Sequence, residues 1–510
     1  MKRRLNNSNQ QTMTQKNLLF LFLLLVSLPV HAQKTTYNIK DFGAVGDGIT
    51  INTNAINNAI EKCTENGGGT VIVPAGIFKS GTIRMRNNVE LHLAMGSTLL
   101  ASTDYKDFPK QPKPAYRSLR DDPEGWFALI YAEGASHIAI TGFGSIDGNG
   151  ASQKPALSIV KNSMDGRPHN ILFISCRHVR IEGIRMRHAG MWNQHYLNCE
   201  DVMIDRMEVF NHANHNNDAI DIDGCRRFVL SNSIFDTCDD GITLKSTGAA
   251  PSEDVTITNC VVSSFCNAIK AGTESTGGFR NISISNCVIK PSRSENMIYG
   301  SRIGGAGIAL IIVDGGVMEG VSISNITIEG TECPIYIRLG NRASKHTETA
   351  PEPPVGKIRN ITLQNIVAYN TGNFSSSITA IPGHYIENVT IDNIQIFNQG
   401  GITAGQYKAT HHEVGEDEKS YPDPTWWRHL PSSLFFIRHV KGLSINNLMF
   451  GSKGEDARVP VIAVDVERLR LGKSIFSGAS LPPCFVLLEN VKDFDVEKPL
   501  GWGLNPVIKQ

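Results

Sequence analysis

From about residue 136 onward, apolar and polar positions alternate in short runs that end on asparagine. Phe228-Val229-Leu230-Ser231-Asn232, Val255-Thr256-Ile257-Thr258-Asn259 and Ile282-Ser283-Ile284-Ser285-Asn286 are three successive cases. The pattern continues at Val321–Asn325, Ile361–Asn365, Val389–Asn393 and Leu443–Asn447. Recurrence at roughly 25 to 40 residues is the mark of a solenoid or array. Period-two alternation makes each unit a set of short strands rather than helices. Asparagine at a fixed place predicts a stacked turn whose side chains hydrogen-bond along the file. A β-propeller is the competing β repeat, but its blades need antiparallel hairpins, and hairpin turns are few. The predicted architecture is an all-β, right-handed parallel β-helix.

The N-terminal part reads differently. Tyr37–Gly48 predicts a strand followed by glycine-rich turns. Ala55, Ile56, Ala59, Ile60 and Cys63 then form an apolar stripe at helical spacing, with Asn52 or Thr53 available as a cap and Gly67-Gly68-Gly69 as a stop. Strand runs follow at Thr70–Pro74 and Val89–Leu93. This block suits a cap over the open end of a repeat array. The expected division is a signal segment over 1–32, the cap and first coils over 33–110, and the coil stack with loop insertions over 111–510. Lys16, the apolar run Leu18–Val26 and Val30-His31-Ala32 predict a cleaved export signal, too short to span a membrane, with a mature chain from about Gln33. The predicted location is the periplasm or the exterior, as a monomer.

Composition narrows the function classes. The 510 residues carry a formal net charge of zero with 19% charged residues, which gives no basis for nucleic-acid binding. Ten cysteines in an exported chain invite a disulfide reading. However, Cys199, Cys225, Cys260 and Cys287 occupy matching places in successive repeats, as a ladder of small buried residues does. No zinc-ligand spacing is present.

The candidate chemistry lies in two segments that align. Asn216-Asn217-Asp218-Ala219-Ile220-Asp221-Ile222-Asp223 overlays Cys238-Asp239-Asp240-Gly241-Ile242-Thr243-Leu244-Lys245 so that Asp218 falls on Asp240. The isoleucines and Leu244 point inward. Asp221, Asp223, Thr243 and Lys245 point the other way, and Asp218, Asp239 and Asp240 open the strands. In the next coil Asn267 joins the Asp240 file and Lys270 the Thr243 file. Carboxylates stacked about 4.8 Å apart cannot all ionise easily, so one should be held protonated beside ionised neighbours. Glycoside hydrolysis needs that pairing. Clustered aspartates can also be a solvated face or a calcium site, and the nearby lysines weigh against calcium. Trp126 and Trp192 are either sugar platforms or buried aromatics. The inserts Thr347–Gly356 and Glu413–Pro424 are where a rigid solenoid carries specificity, and Asp121–Trp126 is a candidate to flank the cleft.

At these residues the sequence resembles glycoside hydrolase family 28, the polygalacturonase family. Asn216-Asn217-Asp218 is similar to its Asn-Thr-Asp motif and Asp239-Asp240 to its Asp-Asp motif. Phe42–Gly48 with the following helix, Tyr421–Pro424 and Arg438-His439-Val440 extend the resemblance over most of the chain. It implies inverting hydrolysis without a cofactor, with Asp239 as general acid and Asp218 and Asp240 holding the attacking water. Two departures stand out. Cys266-Asn267-Ala268 replaces the family's Gly-His-Gly, and Gly307–Ile312 lacks the cations of its Arg-Ile-Lys. Lys245, Lys270, Arg338 and Arg342 are candidate replacements. Asn216, Asp221, Lys245, Asn267, Lys270 and Arg338 are therefore the expected substrate contacts, and no metal is expected. The expected activity is exo-cleavage of an α-galacturonosyl bond or action on a rhamnogalacturonan. A non-catalytic pectin-binding β-helix and a pectic lyase are the alternatives.

Overall fold

The structure, a computed structural model, describes residues 35–109, 111–118, 127–153, 167–407, 413–427 and 429–509. The expected signal segment, the Asp121–Trp126 insert and Trp126 lie outside the described residues. Among the described residues, 35 strands join in one continuous set of pairings, and the ladders between coils are parallel.

Three faces can be followed coil by coil. On one, Ile222 lies opposite Leu244, then Ala271, Leu310, Ile337 and Ile378. On the second, Ile204, Leu230, Ile257, Ile284, Ile323 and Leu363 stack. On the third, Val209, Phe235, Val262, Ile289 and Ile328 stack. These are the inward members of the alternating runs, and all are buried. Each such aliphatic side chain contributes roughly 1.5–3 kcal/mol by leaving water. One core runs unbroken from Tyr37 to Trp502.

The asparagine file forms as the repeat predicts. Asn259 donates to Asn232, Asn325 to Asn286, Asn365 to Asn325 and Asn393 to Asn365, at 2.8–3.1 Å. Each of these turns has φ between 52° and 56°, a left-handed conformation that asparagine tolerates. The cysteines also stack as expected. All ten are free, and Cys199, Cys225, Cys260 and Cys287 are buried. The Cys225 thiol donates to the Tyr196 carbonyl at 3.1 Å.

The helix spans Thr53–Glu65 and buries Ile56, Ala59, Ile60 and Cys63. Its start departs from expectation. Asn52 sits at the cap position but makes no side-chain cap. Its Oδ1 accepts Val45 N–H at 2.7 Å, and its amide donates to Val45 and Thr50 carbonyls. Thr53 Oγ1 accepts Gly81 N–H at 2.8 Å. Both side chains close the glycine-rich turn and its neighbour instead, because long-range partners outcompete the local cap.

Candidate active site

The site grows out of three consecutive strands of the first face, Ile220–Asp223, Ile242–Ser246 and Asn267–Ser275. Their inward side chains enter the core. Their outward side chains form two polar files, with Asp221, Thr243 and Lys270 in one and Asp223 beside Lys245 in the other. Outward does not mean exposed here, since all five are buried. Two loop segments supply the cover. Tyr299, between the third and fourth coils, reaches Asp239, and Tyr421 of the Glu413–Trp427 segment reaches Lys270.

The three aspartates that open the strands are held side by side. Ala219 N–H donates to the Asp240 carbonyl at 3.1 Å, which fixes Asp218 and Asp240 in adjacent coils. Asn217 shapes the approach. Its side chain accepts Ala213 and Asn214 N–H groups and donates to the Ala189 and Met191 carbonyls.

Their environments then separate them. Asp240 Oδ2 accepts Lys270 Nζ at 2.7 Å, and Oδ1 accepts Asn267 Nδ2 at 2.7 Å. Burial pushes this carboxyl up, but Lys270, Lys245 and those hydrogen bonds outweigh it and hold Asp240 below the usual carboxylate range. Asp218 is driven the other way. Burial raises it well above that range, and Asp221, Asp239 and Asp240 raise it further. Asp239 is also raised, by burial and then by Asp240, with Tyr299, Lys270 and Lys245 opposing. Asp239 is the least enclosed of the three, since Asp218 is only 2% and Asp240 only 4% exposed. The set therefore titrates as a coupled unit, with Asp240 ionising first.

Lys245 lies in the same buried layer. Its ammonium is 3.1 Å from Glu274 Oε2 and 3.7 Å from Asp221 Oδ1, and it sits 4.6 Å from the Trp192 ring centroid. Burial lowers its pKa, but Glu274, Asp221 and Asp218 reverse that and keep it charged. Trp192 is 3% exposed, so it is the floor beneath Lys245 rather than an open sugar platform. Among the described residues, no group of three His, Cys, Asp or Glu side chains is arranged to hold a metal ion.

The structure thus gathers Asp218, Asp239, Asp240, Asp221, Lys245, Asn267 and Lys270 into one layer. Asn216 stands at its edge, where its Oδ1 accepts Arg167 Nη2 at 2.9 Å and its N–H donates to Tyr299 Oη at 2.8 Å. Asp223 has a different task. It accepts Thr247 N–H at 2.8 Å and Thr247 Oγ1 at 2.6 Å, and pairs with buried His195 at 2.9 Å, so it braces the coil. Arg338 sits three coils beyond Lys245 and is buried. It donates to Thr379 Oγ1 at 3.3 Å, to the Ala380 carbonyl at 3.1 Å and to the Glu416 carbonyl. Arg342 pairs with Asp314 and lies 4.0 Å from Glu274. Tyr299 and Arg167 are not among the residues expected from sequence, and Tyr421 is marked there only through its insert and the Tyr421–Pro424 resemblance, with no site role. They reach the site from segments without the strand repeat, so no periodic signal marks them.

Comparison with known proteins gives the family of the chain. The sequence model of glycosyl hydrolases family 28 matches residues 63–414. A probable polygalacturonase of Vitis vinifera is 25% identical over 362 residues, covering 68% of this chain and 71% of that protein. An exo-poly-alpha-D-galacturonosidase of Dickeya chrysanthemi is 28% identical over 250 residues, covering 40% of this chain and 41% of that protein. The solved family 28 exopolygalacturonase of Yersinia enterocolitica superposes with a TM-score of 0.65 at 20% identity, covering 91% of this chain and 78% of that one. By its matched residues, the chain belongs to glycosyl hydrolases family 28.

Proposed function

We propose that this protein is an inverting exo-hydrolase of α-galacturonosyl bonds in pectic oligosaccharides or a rhamnogalacturonan. The observation that carries the reading is the unlike surroundings of neighbouring aspartates: Lys270 and Asn267 both donate to Asp240 and favour its ionised form, whereas Asp239 is less enclosed and is raised by burial and by Asp240. Asp239 gives its proton to the glycosidic oxygen as the bond to the anomeric carbon breaks. Asp240 takes a proton from the water that attacks the opposite side of that carbon. Asp218 helps hold that water, and because Asp218 is raised while Asp240 is lowered, Asp240 is the one of the two that stands ionised and free to accept a proton. Exo-action is supported by relatives whose names give it, in Dickeya chrysanthemi and Platanus acerifolia.

The departures from the family pattern also bear on the reading. Asn267 stands where the family places histidine and donates to Asp240, so one hydrogen-bonding function is kept there. The Gly307–Ile312 stretch offers no cation, and Ala309 and Ile311 are buried against Tyr336 in a small apolar cluster. Lys245, Lys270 and Arg167 are then the cations that face the aspartates, and Lys245 and Lys270 are already paired with Glu274 and Asp240. A sugar carboxylate binding there shares both lysines with Glu274 and Asp240. Export follows the apolar run Leu18–Val26 and remains part of the proposal.

The test is Asp239→Asn. Loss of a general acid lowers turnover by about 10²–10⁴-fold. Release of reducing sugar from pectic fragments at the wild-type rate refutes the assignment. An unsaturated product from the wild-type protein selects a lyase instead.

A further inference from the structure

We infer that Tyr299 is a positioning residue for Asp239, carried over the site by a segment built to hold it there. The inference rests on the reading of Asp239 as general acid. Tyr299 Oη donates to Asp239 Oδ2 and accepts the Asn216 N–H at 2.8 Å. Its ring stacks on His215, with centroids 5.1 Å apart and planes 12° from parallel. One phenol therefore ties Asp239 to the turn that leads into Asp218. Asp239 Oδ1 accepts the Asp240 N–H at 2.9 Å, so both of its oxygens face a donor.

The segment that carries Tyr299 is fastened on both sides. Before it, Asp236 accepts Ser292 Oγ at 2.5 Å and Arg293 N–H at 3.2 Å. His212 pairs with the same Asp236 at 2.9 Å, and the His212 carbonyl accepts Asn296 Nδ2 at 2.8 Å. After it, Ser301 N–H donates to the Phe265 carbonyl at 2.8 Å and Ser301 Oγ donates to Glu332 at 2.8 Å. Asp236 and His212 lie in the coils that bear the aspartates. Their pairing has no part in the chemistry at Asp239, but it anchors the arm that delivers Tyr299.

The arrangement matters when the proton leaves. Asp239 passes its proton to the glycosidic oxygen, the carbon–oxygen bond breaks with its electron pair going to that oxygen, and a carboxylate remains. The Tyr299 O–H already points at that carboxylate, so the new charge is met by a fixed donor without reorganisation. Burial and the neighbouring Asp239 keep the phenol protonated. The other groups that face Asp239 are Asp240 and Asp218, the ammoniums of Lys270 and Lys245, and Arg167. The Cys238 and Cys266 thiols lie close by. Removing the phenol oxygen leaves all of these in place.

Tyr299→Phe keeps the ring and its stack on His215. We expect kcat to fall roughly 10- to 100-fold, the effect of losing a hydrogen bond to a charged group. We also expect the alkaline limb of the kcat–pH profile to move to higher pH, because the lost donor favours the ionised carboxyl. In the opposite sense, 3-fluorotyrosine at position 299 donates more strongly and moves that limb to lower pH. It also serves as the test if the phenylalanine variant does not fold. Asp239→Asn is measured alongside. If that variant is inactive while the limb stays at its wild-type position in the Tyr299 variants, the inference is overturned and the acid assignment stands. A lower melting temperature with an unmoved limb has the same meaning, since it assigns Tyr299 a purely structural role. Full activity in Asp239→Asn removes the acid assignment on which the inference rests.

Discussion

Two pairs of buried cations lie along the same face of the stack and do opposite work. Lys245 and Lys270 stand in the coils next to the aspartates, and their partners are the carboxylates of Glu274, Asp221 and Asp240. Arg338 and Arg438 stand several coils on, and their partners are chiefly carbonyls. Arg338 donates to Ala380 and Glu416, while Arg438 donates to Val414 and Gly415 at 2.8 Å each. The lysines set charge where chemistry is proposed. The arginines clamp the start of the Glu413–Trp427 segment, whose Tyr421 then reaches back to Lys270 at 3.2 Å. A compact ammonium suits a point charge among carboxylates, whereas a planar guanidinium can bind several carbonyls at once. Sharing a face of a solenoid thus does not give two residues the same task. The coil they occupy, and the loop that covers it, decide.

The sharpest way to break this contrast is Lys270→Met. Asp240 then loses its main counter-charge inside a buried layer. Its carboxyl should rise, so the acid limb of kcat/KM moves to higher pH and turnover at the optimum falls by about 10²–10⁴-fold. Stability has a sign as well. The depressed carboxyl of Asp240 contributes stability that is present above the ordinary aspartate range near ~3.9 and lost as pH falls through its lower folded value. In Lys270→Met that contribution disappears, and removing one partner of a buried pair costs about 3–5 kcal/mol. Urea unfolding at neutral and acid pH measures it. An unchanged acid limb refutes the role assigned to Lys270.

A smaller effect is expected from Arg338→Met. It leaves the carbonyls of Ala380 and Glu416 without their donor, at about 1–3 kcal/mol for each buried group left unsatisfied. The acid and alkaline limbs should stay in place, because the guanidinium has no contact with the aspartates. Faster limited proteolysis within 413–427 is the direct readout. A shifted pH profile in this variant would erase the distinction between the two pairs.

The smallest effect belongs to the asparagine file, which serves neither pair. Asn325→Ala removes one hydrogen bond accepted by Asn325 and one donated by it, in an exposed turn with φ of 56°. We expect about 0.5–2 kcal/mol from the hydrogen bonds and the strained φ together, with kcat unchanged. A change in kcat would mean that the turn file communicates with the site.

Much of this molecule is readable in one dimension. The inward members of the alternating runs are the observed core, since a period of two leaves each strand only one apolar face to bury. The asparagines and cysteines recur at fixed places and are found stacked for the same reason. Alignment of two repeats was enough to place Asp218 and Asp240 side by side, because equivalent positions in a parallel stack must be neighbours. Where repetition ceases, this reasoning stops. Asp223 shares the outward pattern of Asp221, yet Thr247 and His195 occupy it. Arg338 looks like a substrate cation in sequence, and in the structure its guanidinium donates to Thr379 and to the Ala380 and Glu416 carbonyls. Tyr299 and Tyr421 arrive from segments with no period.

The sequence by itself determined the coil, its register and the meeting of three aspartates, because each depends on local alternation repeated at a regular interval. Only the tertiary structure decided which carboxyl is held ionised, which cations are committed to other partners and which tyrosine covers Asp239. Those outcomes depend on burial and on contacts between residues 27 to 151 positions apart, and no local pattern in a chain encodes how its loops fold back over its strands.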